Sequence, residues 1–161
     1  MTALDRAVGA LLGLAVGDAT GTALEFRRPG TFDPISDMVG GGPFHLAPGE
    51  WTDDTSMALC LAESILDTGT LDLADQMRRY LLWRDHGYLS SNGRCFDIGN
   101  TTRHQLERFR RTGTPVDPEP DDEAAANGSL MRLAPVPVRW HADPGEAAER
   151  SAESSRSTHA A

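Results

Sequence analysis

The sequence predicts an all-α fold. Three observations lead there. Apolar residues recur at the three- and four-residue spacing of helices in successive stretches. No stretch carries the two-residue alternation of a strand, and the helical stretches open and close on cap and stop residues. The 161-residue length suits one compact domain, and neither a repeat nor a composition break divides residues 1–161. The apolar fraction of 39% is low for a globular chain, but its concentration in periodic stretches argues against disorder.

The first helix is predicted over residues 2–24, capped by Thr2, with Leu4, Val8, Leu11, Leu12 and Ala15 at helical spacing. Gly9, Gly13, Gly17 and Gly21 fall four apart on one side of it. Each costs about 1 kcal/mol against alanine in a helix interior, so something must offset that cost. Close approach of another helix is the expectation for Gly9 and Gly13; for Gly17 and Gly21, beside Asp18 and Glu25, room for a ligand competes with it. Glycines and prolines break residues 27–50 into a long loop, of the length usually kept for function.

A second helix is predicted over 53–67, with Met57, Leu59, Leu61, Ala62 and Ile65 as core candidates, and a third over 73–86. A fourth runs over 101–111 and stops at Gly113. Residues 115–123, acidic and proline-rich, read as a solvated surface loop. A short helix is expected over 129–134, ended by Pro135 and Pro137. Asp143-Pro144 caps a polar helix running through Ser151.

Charge narrows the function classes. Fifteen basic against 24 acidic residues, a net charge of −9, argue against a nucleic-acid face. Every basic residue is arginine, which excludes lysine Schiff-base and P-loop chemistry. Cys60 and Cys95 have neither metal-ligand nor disulfide-framework spacing, and Cys60 reads as a small buried hydrophobe. The start has no positive leader, and the apolar run from Ala7 to Val16 is too short to span a bilayer, so a cytoplasmic protein without membrane contact is expected.

Four short segments carry chemistry-bearing residues. Trp51-Thr52-Asp53-Asp54-Thr55 sets two carboxylates and two hydroxyls at a helix start. Thr52 as cap, with the acids at the positive dipole end, accounts for it structurally. Oxygens of Thr52, Asp53 and Asp54 would equally suit a hard cation such as Mg²⁺ or Mn²⁺, with the rest of the shell coming from elsewhere. Gly17–Phe26 places Asp18 and Glu25 near the end of the glycine-lined helix, where Glu25 is otherwise an ordinary surface carboxylate. In Phe96–Thr102, Asn100 or Thr101 is expected to cap the fourth helix and Asp97 lies in the loop before it. Asn127-Gly128-Ser129-Leu130-Met131-Arg132 precedes a helix start suited to phosphate, or is a cap followed by a surface arginine.

Together and in this order, GDATGTALEF at 17–26, WTDDTSMAL at 51–59, DIGNTT at 97–102, NGSLMRLAP at 127–135 and STH at 157–159 resemble the ADP-ribosylglycohydrolases. That group includes dinitrogenase reductase-activating glycohydrolase and the ADP-ribosyl-arginine hydrolases. The likeness covers nearly the whole chain. It implies a compact orthogonal array of helices around a binuclear Mg²⁺ or Mn²⁺ centre, with Thr52, Asp53 and Asp54 as metal ligands. It implies catalytic carboxylates at Glu25, on the border of the active site, and at Asp97, beside the substrate ribose. Gly99 and Asn100 would line the ribose side, Asn127, Gly128, Ser129 and Met131 would hold the diphosphate and its neighbours, and His159 would lie near the nucleotide. The implied reaction is hydrolysis of the bond between ADP-ribose and a protein side chain, arginine first, or a small conjugate.

The family's members are longer, and their remaining metal ligands come from a late Asp-x-Asp-Thr cluster that residues 1–161 lack. The terminal Ser157–Ala161 carries no helix stop. The sequence is therefore expected to be the N-terminal part of the fold, with about half of the metal shell. An incomplete sequence, a second polypeptide that completes the site, or an inactive relative would each account for this. Two further functions stay open: a non-catalytic ADP-ribose-binding module, and a metal-dependent phosphohydrolase of unrelated helical fold. Against the last, the five histidines show no paired-ligand spacing.

Overall fold

The computed structural model describes residues 2–119 and 121–160. The fold is all-α, and among the described residues the sole β feature is an isolated bridge between Gly41 and Leu46. Helix α1 spans Ala3–Gly21, α2 Asp53–Thr68, α3 Leu73–His86, α4 Asn100–Thr112, α5 Pro135–Arg139 and α6 Pro144–Ser155.

Helix α2 is the centre. One of its faces, Met57 and Cys60, packs against Met77, Tyr80 and Trp83 of α3 and Leu106 and Phe109 of α4. Another face, Leu61 and Ile65, meets Leu71, Val136, Trp140 and Ala147. Removing a side chain of this size from water stabilises the fold by roughly 1.5–3 kcal/mol, so these two clusters hold the bundle. Leu59 and Ala62 are half-buried. Burial pushes the Cys60 thiol up to about 12, which fits a structural rather than reactive cysteine. Arg79 of α3 ties the same pair of helices from outside, bonding Glu63 and Asp67 of α2 and Asp75 of its own helix.

Helix α1 departs from expectation. Thr2 caps it in a reciprocal box with Asp5, as predicted, but the α-helix ends at Gly21 and a single 3-10 turn covers Thr22–Leu24. Of its residues only Ala19 is buried, and Leu4, Val8, Leu12 and Val16 are 46–71% exposed. The glycine stripe is not a packing seam, since a Cβ on Gly9, Gly13, Gly17 or Gly21 would meet no atom within 4 Å. The helix rests on α2 and α5 along one edge, and its glycine side stays open. Ala3–Leu24 is also long and apolar enough, by length and composition, to cross a membrane, a longer stretch than the Ala7–Val16 run weighed in the sequence.

Residues 129–134 form no helix; a 3-10 turn covers Asn127–Ser129, and Pro135 opens α5 rather than ending a helix. Proline at the first helical position lacks an N–H that would have had no intrahelical partner anyway. Helix α6 starts on the Asp143 cap as expected and runs to Ser155. Gly99, not Asn100 or Thr101, takes the N-cap position of α4, without a side-chain bond, while Gly113 closes it in the left-handed conformation. Of the acidic 115–123 stretch, Asp121–Glu123 is exposed and Asp117 pairs with Arg108; Pro120 lies outside the described residues. The long loop folds back on the 3-10 turn through Gly42, where a Cβ would overlap the Thr22 carbonyl. Phe44 pins the loop between the rings of Phe26 and Phe96.

Candidate functional site

The end of α1 and the start of α2 are joined by one carboxylate. Asp18 accepts from the Thr52 backbone N–H at 3.0 Å, the Thr52 hydroxyl at 2.8 Å, the Thr55 N–H at 3.1 Å and the Thr55 hydroxyl at 2.7 Å. Thr52 occupies the N-cap position but makes no capping bond itself. Asp18 serves α2 in its place, from 34 residues upstream. The Thr52 hydroxyl donates to Asp18, with Asp54 Oδ2 a longer 3.3 Å away as a second acceptor, and Thr52 lines the adjoining cavity with Gly17, Gly21 and Glu25.

A second cavity, of about 250 Å³, gathers most of the candidate residues. Glu25, Asp53, Asp54 and Asp97 line it, together with Gly99, Asn100, Asn127, Gly128, Met131 and His159. Thr52 lines the neighbouring cavity, which shares Glu25 and Asp54. Ser129 lines neither; it is turned toward α6, where the Ser155 hydroxyl donates to it at 2.8 Å. Sequence reasoning missed Asp18 as the organiser and Thr102 as a wall residue. Of its two readings of residues 127–132, the one with a surface Arg132 fails, since that side chain is fully buried.

The carboxylates are crowded and short of cations. Burial, then the charges of Asp97 and Asp54, pushes Asp53 up to about 9. Burial, then Asp97, raises Glu25 to about 7. Burial also raises Asp54, with Asp18 adding to it, and Asp97, with Asp54 and Asp18 adding. Like charges in a low-dielectric pocket oppose full ionisation, so burial and the neighbouring carboxylates raise both Glu25 and Asp97. Asp97 itself sits in the left-handed region at φ 59°, which an aspartate tolerates better than most residues.

These side chains offer oxygens of the kind a hard divalent cation takes. Among the described residues, the buried Glu25 Oε2 has no hydrogen-bond partner and the buried Asp53 forms no ion pair. An ion of charge two would offset the repulsion that adds to burial in raising all four groups. Among the described residues, however, no three ligating side chains converge closely enough to hold an ion alone. The donor set fits part of a hard-cation shell.

The family model described as ADP-ribosylglycohydrolase matches residues 1–161. The chain is 56% identical over 136 residues to "ADP-ribosylarginine hydrolase Tri1" of Pseudomonas putida, covering 84% of this chain and 36% of that protein. It is 38% identical over 159 residues to "ADP-ribosyl-[dinitrogen reductase] glycohydrolase" of Rhodospirillum rubrum, covering 96% and 51%. A solved structure titled "ADP-ribosylglycohydrolase-related protein complex" superposes with a TM-score of 0.82 at 45% identity, over 99% of this chain and 50% of that one. The chain thus spans about a third to a half of the length of these relatives. On the family match along its whole length and the shared all-α architecture, this chain belongs to the ADP-ribosylglycohydrolase family.

Proposed function

We propose that this chain supplies the substrate-facing part of a metal-dependent hydrolase that cuts the glycosidic bond between ADP-ribose and a protein side chain, arginine before others. One observation carries the reading: Glu25, Asp53, Asp54 and Asp97 share one cavity with Asn127, Gly128 and His159. The names of the relatives support arginine as the linkage, since the P. putida protein is named for ADP-ribosylarginine.

Asp53, Asp54 and the Thr52 hydroxyl would hold Mg²⁺ or Mn²⁺, which when bound orients ribose hydroxyls and lowers the pKa of a water. The chain's own residues divide the rest of the work. Glu25, raised by burial and the Asp97 charge when no cation is bound, is the carboxyl assigned to proton transfer toward the departing side-chain nitrogen. Asp97, on the wall of the same cavity, faces the sugar as positive charge develops at the anomeric carbon. The Asn127–Met131 wall offers polar groups to the diphosphate, consistent with a chain that has no lysine. Ser129, turned away toward Ser155, is the member of the expected set least suited to that contact.

The test is release of ADP-ribose from ADP-ribosyl-arginine with Mg²⁺ or Mn²⁺. It is run on the chain alone and with a polypeptide matching the remaining length of the relatives. Turnover that Asp53→Ala and Asp54→Ala abolish supports the hydrolase; metal-independent turnover sinks it. A second reading, an ADP-ribose-binding module without turnover, rests on the incomplete ligand set. Binding of ADP-ribose with no release under either condition would favour it.

A further inference from the structure

Behind the cavity wall lies a buried cation that the carboxylates do not use. Arg132 is fully buried, and among the described residues it forms no salt bridge. Its Nη2 donates to Thr158 Oγ1 at 2.7 Å and, at longer range, to Ser157 Oγ at 3.3 Å and the Ser154 carbonyl at 3.4 Å. The guanidinium lies 4.8 Å over the Tyr80 ring, while Nε and Nη1 have no partner. An uncompensated buried guanidinium is costly, so its retention asks for a role.

The role follows from counting protons. Arginine only donates, so Thr158 Oγ1 accepts from it. Thr158 is fully buried, and among the described residues its single hydroxyl proton has one partner in reach, His159 Nδ1 at 2.7 Å. Nδ1 therefore accepts, and the ring proton sits on Nε2. Burial, then the Arg132 charge, lowers His159 to about 4, so the ring stays neutral. On the other side Nε2 faces Gly128, where a Cβ would stand 3.1 Å from Nε2, 2.8 Å from Cε1 and 3.1 Å from Thr102 Oγ1. The missing side chain leaves that nitrogen open to the cavity that His159 lines.

We propose that Arg132 and Thr158 are positioning residues: through the Thr158 hydroxyl, the buried guanidinium fixes His159 as a neutral ring that presents one N–H, on Nε2, to an oxygen of the bound ligand. A neutral donor suits this pocket. An imidazolium facing Glu25, Asp53, Asp54 and Asp97 would form an ion pair with them and compete with a metal for their oxygens. The ligand's identity as ADP-ribose rests on the function proposed above; the tautomer does not.

Both parts are tested on ¹⁵N-labelled protein. In the wild type, His159 Nδ1 should give the signal of an unprotonated, hydrogen-bonded nitrogen, and Nε2 that of a protonated one. Thr158→Val should remove the hydrogen-bonded signature at Nδ1 and let an Nδ1–H form appear, while Thr158→Ser restores the wild-type pattern. Arg132→Met should likewise populate Nδ1–H, because the threonine is then free to accept. A protonated Nδ1 in the wild type, or an Nδ1 signal unmoved by Thr158→Val, overturns the proposal; should that variant not fold, the wild-type spectrum decides. For the ligand, Kd for ADP-ribose should rise about fivefold or more in Thr158→Val and return to near wild type in Thr158→Ser. A Kd unchanged in a Thr158→Val protein whose tautomer has shifted overturns the ligand contact. A wild type that does not bind ADP-ribose at all counts against the function, while the Nδ1 signal still decides the relay.

Discussion

Asp18 accepts from four donors on Thr52 and Thr55, two backbone and two hydroxyl, and so fixes the first turn of α2. Asp18→Asn keeps the shape but puts an NH₂ where an acceptor oxygen stood, leaving buried N–H groups without partners. Two opposing effects follow. The like charge that helps raise Asp54 and Glu25 disappears, which favours the fold. The lost charge-assisted bonds cost more, since each contributes about 1.5–3 kcal/mol. The variant is expected to lose about 2 kcal/mol or more, read as a lower midpoint in urea denaturation; an unchanged midpoint would refute the capping role. The sequence placed Asp18 near the site without showing this role, because a helix-end carboxylate reads alike whether it meets solvent or a helix 34 residues on. Glu25, Asp53, Asp54 and Asp97 were legible through their segments, and the cavity they share required the fold. Arg132 was misplaced because an arginine near a helix start is ordinarily exposed, and nothing local reports a hydroxyl partner 26 residues away.

At the scale of elements, the helices with strong local punctuation were the legible ones. Residues 73–86 were bounded correctly because Asp72 caps the start and Gly87 ends it in the left-handed conformation. The stretch before α5 was misread because two prolines look like a stop, whereas proline at the first turn is compatible with a start. Helix α1 taught a different lesson: its existence was local, but which side it buries was not. Its open glycines give a direct test. Gly13→Ala removes the helix-interior penalty of glycine and adds a methyl with no atom within 4 Å. In this chain it is expected to raise stability by up to about 1 kcal/mol in thermal melts, since that is the alanine–glycine difference in a helix interior. A loss of stability would mean that another segment or partner lies against that side.

For the whole molecule, the acidic site and the charge balance act in the same direction. The chain carries a net charge of −9, and the residues that would neutralise its pocket are not among its 15 arginines, whose surface pairs lie on α3, α4 and α6. Folding without a metal therefore takes up protons. Asp53 rises to about 9 and Glu25 to about 7, both above their unfolded values near 4. Between those limits the folded state holds protons that the unfolded chain has released, so stability falls as pH rises. His159 acts oppositely, being lowered to about 4, but its contribution is complete once pH exceeds its unfolded value of 6.5. From about pH 7 to 9, then, Asp53 is still giving up its proton, and toward the top of that interval the raised thiols of Cys60 and Cys95 add to the same downward slope. In chelator, the melting temperature is expected to drop across that interval. Added Mn²⁺ or Mg²⁺ should flatten or reverse the slope, because a bound cation favours the ionised carboxylates that high pH produces. A slope that is the same with chelator and with metal would show that these carboxyls do not meet the ion.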